Sequence, residues 1–299
     1  MDNMTAKVSC FARAYHYKNN DIRIFADDMA AVLLGDDYEK IAESMSQGIS
    51  FFLPDFHGSK EEGLRLIVDR QLSPSVLGRS AFCEEMLHKA MDEGCVQYLI
   101  FAAGYDTFGI RNADQTLTVF ELDLPELLED KAERIERAGL NNHSILVPCD
   151  LSEDTWTENL KEKGFDAGSR SFCSLLGISY YLDKEEFRKL VTAIAGNIPE
   201  GSEICMDFQS DEASKETRVN QELASAASEQ MKAKYSLREI SELLESVGFN
   251  VKAELSSDEM TAKYFNDYNN ANPEHRMVAP VGVRYLLASR SRLINESKV

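Results

Sequence analysis

Between Tyr98 and Pro125 the chain carries residues whose types and spacing could hold a nucleoside. Tyr98-Leu99-Ile100-Phe101-Ala102 is a short apolar run, the pattern of a strand buried on both faces of a parallel sheet. Ala102-Ala103-Gly104-Tyr105-Asp106-Thr107 follows at once. Gly104 lets the backbone turn sharply and lets a ligand approach the main chain. The next run, Leu117 to Leu122, ends around Glu121 and Asp123. An acidic side chain at the tip of a second strand is placed to hydrogen-bond a ribose diol. The loop has a single glycine where the dinucleotide fingerprint G-x-G-x-x-G needs three. An Asp inside it would repel a pyrophosphate and suit a nucleoside with positive charge and no phosphate. S-adenosylmethionine, with its adenosine, sulfonium and amino acid end, has that chemistry. An ordinary turn of another α/β protein shares this local pattern, so the loop alone leaves both readings open.

The surrounding elements fit an open sheet. Strand patterns at His143–Val147, Ser171–Leu176, Glu203–Phe208 and Phe249–Leu255, with a cleanly alternating last strand at Val283–Ser289, alternate with helical patterns, the signature of a mostly parallel sheet. One helix begins at Pro125 and stops at Gly139. Another starts from an Asp183–Glu186 capping box and closes near Gly196, and a third spans Ser236 to Gly248. Residues 5 to 50 read as helical, His57 to Gly63 as a polar turn, and Leu64 to Leu77 as an apolar stretch broken by Pro74. The helix after Arg79 buries Phe82, Met86, Leu87, Ala90 and Met91 and ends at Gly94. Residues 1–94 are therefore read as an N-terminal helical cap and 95–299 as a Rossmann-like core. A polar stretch around 209–234 reads as a helical insertion.

Composition excludes some functions. A net charge of -19 argues against a nucleic-acid binder and against binding to anionic membranes. No apolar run approaches the roughly 20 residues of a membrane span, and the first residues lack the features of a signal peptide. The six cysteines form no C-x-x-C pair and several stand in apolar contexts, which points to a reduced, cytoplasmic protein. The five histidines show no metal-ligand spacing.

Ala-Ala-Gly-Tyr-Asp-Thr-Phe-Gly-Ile-Arg, followed by Val-Phe-Glu-Leu-Asp-Leu-Pro-Glu, resembles the leucine carboxyl methyltransferase family, with its G-A-G-x-D-T-x-x-x-R loop and E-x-D-x-P strand. The resemblance covers most of the chain and is nearest to the bacterial tetracenomycin-type O-methyltransferase branch. It implies a class I S-adenosylmethionine-dependent methyltransferase fold, a seven-stranded sheet with a helical cap. It also implies that Arg79 grips the methionine carboxylate, as a guanidinium does with two parallel hydrogen bonds. Ala102, Ala103, Gly104, Asp106, Thr107, Glu121 and Asp123 would line the same cofactor. Asp150 and Leu151 match the residues that meet the adenine; Asp150 also suits a helix cap. Gly177, Tyr181 and Leu182 match the family's E-G-v-x-x-Y-L segment, with Leu176 where the family has a glutamate. That change moves the chain away from the branch that modifies a protein C-terminus. Tyr264-Phe265-Asn266-Asp267-Tyr268 resembles the family's Y-F-x-x-R segment without its arginine.

The expected activity is methyl transfer to a carboxylate or hydroxyl of a small molecule. Arg13, Tyr15, His16 and Tyr180 are the candidates to face that acceptor. Tyr180, Tyr181 and His16 are the candidates for catalysis, His16 being the one neutral-pH base among them. Plain helix packing is the competing reading of the residues near the N-terminus. A protein C-terminal carboxyl methyltransferase and a non-catalytic cofactor-binding scaffold remain as alternatives, and a monomer or a homodimer is equally compatible.

Overall fold

The computed structural model describes residues 3–112, 114–210 and 232–291. Most of the insertion expected around 209–234 lies outside the described residues. The centre is one seven-stranded sheet: β1 (Gln97–Phe101), β2 (Thr118–Asp123), β3 (Ser144–Pro148), β4 (Ser171–Leu175), β5 (Glu203–Gln209), β6 (Phe249–Leu255) and β7 (Val283–Arg290). Their order is β3-β2-β1-β4-β5-β7-β6. The first five run parallel, and β7 inserts antiparallel to both β5 and β6. Leu99, Phe101, Phe120 and Leu122 fill one face, while Tyr98, Ile100 and Val119 fill the other. The runs are apolar without alternation because both faces are covered. The strand order reverses between β1 and β4, so a crevice opens beyond their carboxyl ends, where such sheets hold ligands.

The cap comprises α1 (Met4–Asn19), α2 (Ala30–Leu34), α3 (Asp37–Gln47), α4 (Ile49–Phe52), α5 (Lys60–Ile67) and α6 (Ser73–Asp92). Three sequence expectations change here. The helix expected over 5–50 is interrupted from Asn20 to Met29, because side chains take over backbone donors. The Ile24 N–H donates to His16 Nε2 at 2.9 Å and the Ala30 N–H to Asp27 Oδ1 at 3.0 Å. The polar run His57–Gly63 is half helix, since a Ser59–Glu62 capping box starts α5 at Lys60. Pro74 does not break the chain's helical path. It sits in the first turn of α6, where a missing N–H leaves nothing unpaired, and α5 reaches it through a wide turn at Val68–Leu72. Arg79 consequently lies inside α6 rather than near its start.

The core adds α7 (Phe108–Arg111), α8 (Pro125–Arg137), α9 (Trp156–Glu162), α10 (Lys184–Asn197) and α11 (Leu237–Ser246). Cap and core are joined by charge as well as by packing. Arg134 in α8 donates to Asp37 Oδ2 at 2.7 Å and to the Leu34 carbonyl at 3.0 Å. Arg13 in α1 donates to Asp27 Oδ2 at 2.8 Å and to the Tyr105 carbonyl at 2.7 Å. Phe11, Tyr15, Leu33 and Tyr105 share one apolar cluster across this junction. Among the described residues no helix is long and apolar enough to cross a membrane.

His16 is corrected by this packing. It is completely buried, its Nε2 accepts from Ile24, and its Nδ1 lies 3.3 Å from the Asn20 amide. Burial, with Arg23 and Arg65 nearby, pushes its pKa down to about 3. A ring held neutral with both nitrogens occupied is not a base for an acceptor. Tyr15 packs on Phe11 at 5.7 Å, and burial pushes its phenol up to about 12.

Glu121 is likewise a packing residue. It is fully buried in mid-strand, where Lys131 of α8 pairs with Oε2 and the Ser144 hydroxyl donates to Oε1 at 2.7 Å. Burial pushes its carboxyl up, while the Lys131 ammonium and these hydrogen bonds favour the ionised form. The tip of β2 belongs to Asp123 instead.

Two outcomes follow from these buried groups. Lys131→Met should cost about 3–5 kcal/mol in chemical denaturation, because it strands a buried carboxylate. Adding Glu121→Leu should recover most of that loss; a double variant as weak as the single would reject the ion-pair account. His16 takes up a proton near pH 6.5 when unfolded and near pH 3 when folded. The native state therefore binds fewer protons in between, and stability falls as pH drops from 6.5 toward 3 by about 1.4 kcal/mol per unit. His16→Gln should remove that slope between pH 6.5 and 5; an unchanged pH dependence of urea unfolding would reject it.

Candidate functional site

The loop after β1 is shaped by two left-handed residues, Ala102 at φ 51° and Gly104 at φ 53°. Ala102 is the sole non-glycine residue with positive φ among those described. That conformation costs an L-residue about 1–2 kcal/mol. The resemblance places the first glycine of its motif here, so the pattern's glycine answers a backbone demand that this chain meets at a cost. The Ala103 N–H donates to the Leu122 carbonyl at 3.1 Å, and the Gly104 N–H to Asp123 Oδ2 at 2.7 Å. The Leu124 N–H donates to Asp123 Oδ1 at 2.7 Å. Asp123 thus holds the tip of β2 against the loop. Burial pushes its carboxyl up, and those two backbone donors support the ionised form. Asp106 Oδ1 accepts from the Phe108 N–H at 2.7 Å and closes the loop into α7.

A cleft lies between this loop, α6 and the end of β4. Ser80, Cys83 and Glu84 line it from α6, Tyr98 and Asp106 from the β1 side, and Leu176 from the β4 side. Arg13, Phe25 and Arg111 complete the wall. Arg111 donates to both carboxylate oxygens of Glu84 and to Thr107 Oγ1, the last at 2.9 Å. Its Nε lies 3.6 Å from Asp27, the partner of Arg13. Thr107 is therefore turned into this network and is almost completely buried, which corrects its expected place on the cofactor. The two guanidiniums are matched by Asp27 and Glu84. Asp106 adds a negative charge to the wall beyond these pairs, so the cleft favours a cationic ligand.

The ends of β4 and β5 supply a second cluster. Gly177 has φ 69°, and a Cβ built there would lie 2.6 Å from Arg79 Nη1. Glycine is thus required twice over, by conformation and by the close approach of the guanidinium. The Gly177 N–H donates to Asp207 Oδ1 at 2.6 Å, the Tyr180 hydroxyl donates to Oδ2 at 2.6 Å, and Arg79 Nη1 lies 3.5 Å from Oδ2. Asp207 is completely buried, whereas the Arg79 side chain keeps 16% exposure. Its contact with Asp207 is long for a charge-assisted bond, which suits a guanidinium that takes a ligand carboxylate as its main partner. Tyr180 is corrected as a base candidate. Burial and Asp207 push its phenol well up, and its proton is already donated. Tyr181 is half-buried, its ring edge-on to Tyr180 at 6.3 Å.

Asp150 and Leu151 follow β3 on the same edge of the sheet. Asp150 is exposed, and its Oδ1 accepts from the Ser152 N–H at 2.9 Å and the Ser152 hydroxyl at 2.7 Å. Leu151 is partly buried and packs against the hydrophobic core. The structure gathers Arg79, Ala102 to Asp106, Asp123, Asp150, Leu151, Leu176 and Gly177 along one edge, and leaves Glu121 and Thr107 in interior networks. It adds Asp207, Glu84, Arg111 and Asp27, none of which the sequence reading assigned to the site. Asp207 had a signal: a lone carboxylate inside the apolar run Ile204-Cys205-Met206-Asp207-Phe208 must have a buried partner. These residues fit S-adenosylmethionine, with a cation for its carboxylate, a negative wall for its positive charge and an acid at each of two further strand tips. No group of His, Cys, Asp and Glu among the described residues is arranged to hold a metal ion.

Comparison with known proteins agrees. Residues 6–195 match the leucine carboxyl methyltransferase family. The chain is 32% identical over 280 residues to "Putative S-adenosyl-L-methionine-dependent methyltransferase YktD" of Bacillus subtilis, covering 89% of this chain and 92% of that one. Its fold is similar to that of a duf574 family protein from Streptomyces avermitilis, with a TM-score of 0.59 at 13% identity over 95% of this chain and 97% of that one. A "putative methyltransferase" from Thermobifida fusca gives a TM-score of 0.56 at 13% identity, covering 96% and 94% of the two chains. The chain belongs to the leucine carboxyl methyltransferase family and is an S-adenosylmethionine-dependent methyltransferase.

Proposed function

We propose that this protein transfers the methyl group to a carboxylate or hydroxyl oxygen of a small molecule, with a carboxylate favoured. The observation that carries the reading is the Arg79–Asp207–Gly177–Tyr180 cluster, whose chain neighbours Ser80 and Leu176 line the same cleft as Asp106. In this reading Arg79 takes the methionine carboxylate. Asp106 faces the positive end of the cofactor, Asp123 the ribose, and Asp150 with Leu151 the adenine. The cofactor, when bound, supplies a methyl group already activated on a positive sulfur. The protein then has to hold the acceptor in line, about 3 Å away, and exclude water. A phenol or alcohol also needs a base within reach. His16 and Tyr180 are both committed elsewhere. A carboxylate is ionised at neutral pH and needs no base, which is why it suits this site better.

Calorimetric titration with S-adenosylhomocysteine tests the cofactor assignment. Wild type should bind in the micromolar range, and Arg79→Ala should weaken binding at least about tenfold, or 1.4 kcal/mol. Transfer of labelled methyl to a panel of small carboxylic acids, phenols and a peptide with a free α-carboxylate then tests the acceptor. Transfer to the peptide alone would move the reading to a protein substrate. Transfer to the phenols alone would overturn the preference for carboxylates. Tight binding with no transfer to any of them would favour a scaffold.

A further inference from the structure

The cluster around Arg79 contains one polar group that no described residue satisfies. Tyr285 in β7 stands directly opposite Asp207 in β5, so the two side chains share the α6 face of the sheet. Tyr285 is completely buried, and its hydroxyl makes no hydrogen bond to any described residue. The hydroxyl lies against Gly78, where an added Cβ would be 3.4 Å away, and Gly78 immediately precedes Arg79. The ring is held edge-on to Phe82 at 6.3 Å, which fixes where the hydroxyl sits. Burial pushes the phenol up, and Asp207 adds to the shift, so the group is a donor at neutral pH.

The neighbouring acceptor is already taken. Asp207 accepts from Gly177 and Tyr180 and faces Arg79. Of the two phenols beside it, Tyr180 has spent its proton and Tyr285 has not. A buried hydroxyl without a partner costs about 1–3 kcal/mol, and native structures keep few of them. An oxygen brought by a ligand at Arg79 removes that cost. A carboxylate has about four acceptor sites on its two oxygens, enough for a guanidinium and a phenol together.

We propose that Tyr285 is the second anchor for the carboxylate of the cofactor's amino acid end, acting beside Arg79. The proposal rests on the placement of that carboxylate at Arg79. Tyr285 supplies a neutral donor where a second cation would upset the balance with Asp207.

The test compares S-adenosylhomocysteine with its decarboxylated analogue, which lacks only the carboxylate. Both are titrated calorimetrically into wild type, Tyr285→Phe and Arg79→Ala. Tyr285→Phe removes one oxygen and keeps the ring. It should weaken S-adenosylhomocysteine roughly five- to twentyfold, leave the decarboxylated analogue within twofold, and leave the melting temperature unchanged or higher, since no protein hydrogen bond is lost. Unchanged affinity for S-adenosylhomocysteine, or an equal loss for both ligands, would overturn the role of Tyr285 while Arg79 keeps its own. Wild type that binds both ligands equally would overturn the carboxylate anchor as a whole. Wild type that binds neither would sink the cofactor assignment itself.

Discussion

A carboxylate sealed from water must have its oxygens occupied, and at Asp207 that requirement organises the site. Burying such a charge unpaired costs several kcal/mol. Asp207 avoids this by drawing in the Gly177 amide, the Tyr180 hydroxyl and the Arg79 guanidinium. Those three groups come from the end of β4, the turn beyond it and the middle of α6. One buried charge therefore fixes where the cap helix meets the sheet and where its arginine points. The same logic operates at Asp123, which ties the β1 loop to the end of β2. In both places a carboxylate is used as a fastener, and the ligand-facing edge results from what it fastens.

The cleft wall extends this into a charge balance. Arg13 and Arg111 are paired by Asp27 and Glu84, so neither cation is left to attract anions into the crevice. Arg79 differs from both because its contact with Asp207, at 3.5 Å, is longer than the main contacts that pair Arg13 with Asp27 and Arg111 with Glu84. In the proposed binding mode, a zwitterion that also carries a sulfonium would find its carboxylate partner at one end of this edge and a negative wall at the other. The arrangement discriminates by the position of charge. A nucleotide diphosphate meets Asp106 where it would need donors, which is the physical content of the missing glycines.

Much of this was readable before the structure. Gly104 and the Asp183 and Ser236 caps are local signals, each decided within a few residues, and they stand where the sequence places them. Apolar runs without alternation mark strands covered on both faces. What local pattern could not supply was the partner of each polar residue. Glu121 and Asp123 stand two residues apart in one strand, yet Glu121 faces Lys131 one helix away and Asp123 faces the loop. His16 looked like a base because its type allows it. Its role is set by Ile24, whose N–H is available only because the helix stops at Asn20. The cap was the least readable part for the same reason: its breaks follow side-chain acceptors that compete with helix formation.

The distribution of partners also bears on the chemistry. Polar groups near the crevice are committed to other protein groups: Tyr180 to Asp207, Glu84 to Arg111, Arg13 to Asp27, Thr107 to Arg111. A site of this kind spends its polar groups on rigidity. That would be poor economy for a reaction that needs protons moved in the transition state. It suits a displacement whose leaving group departs as a neutral thioether and whose nucleophile arrives already ionised. For such a reaction the barrier responds mainly to alignment, and alignment is what interlocked carboxylates and guanidiniums provide. In the proposed reading, the fasteners and the commitment of His16 and Tyr180 to other protein groups are two aspects of one design, in which the chain would hold reactants that carry their own reactivity.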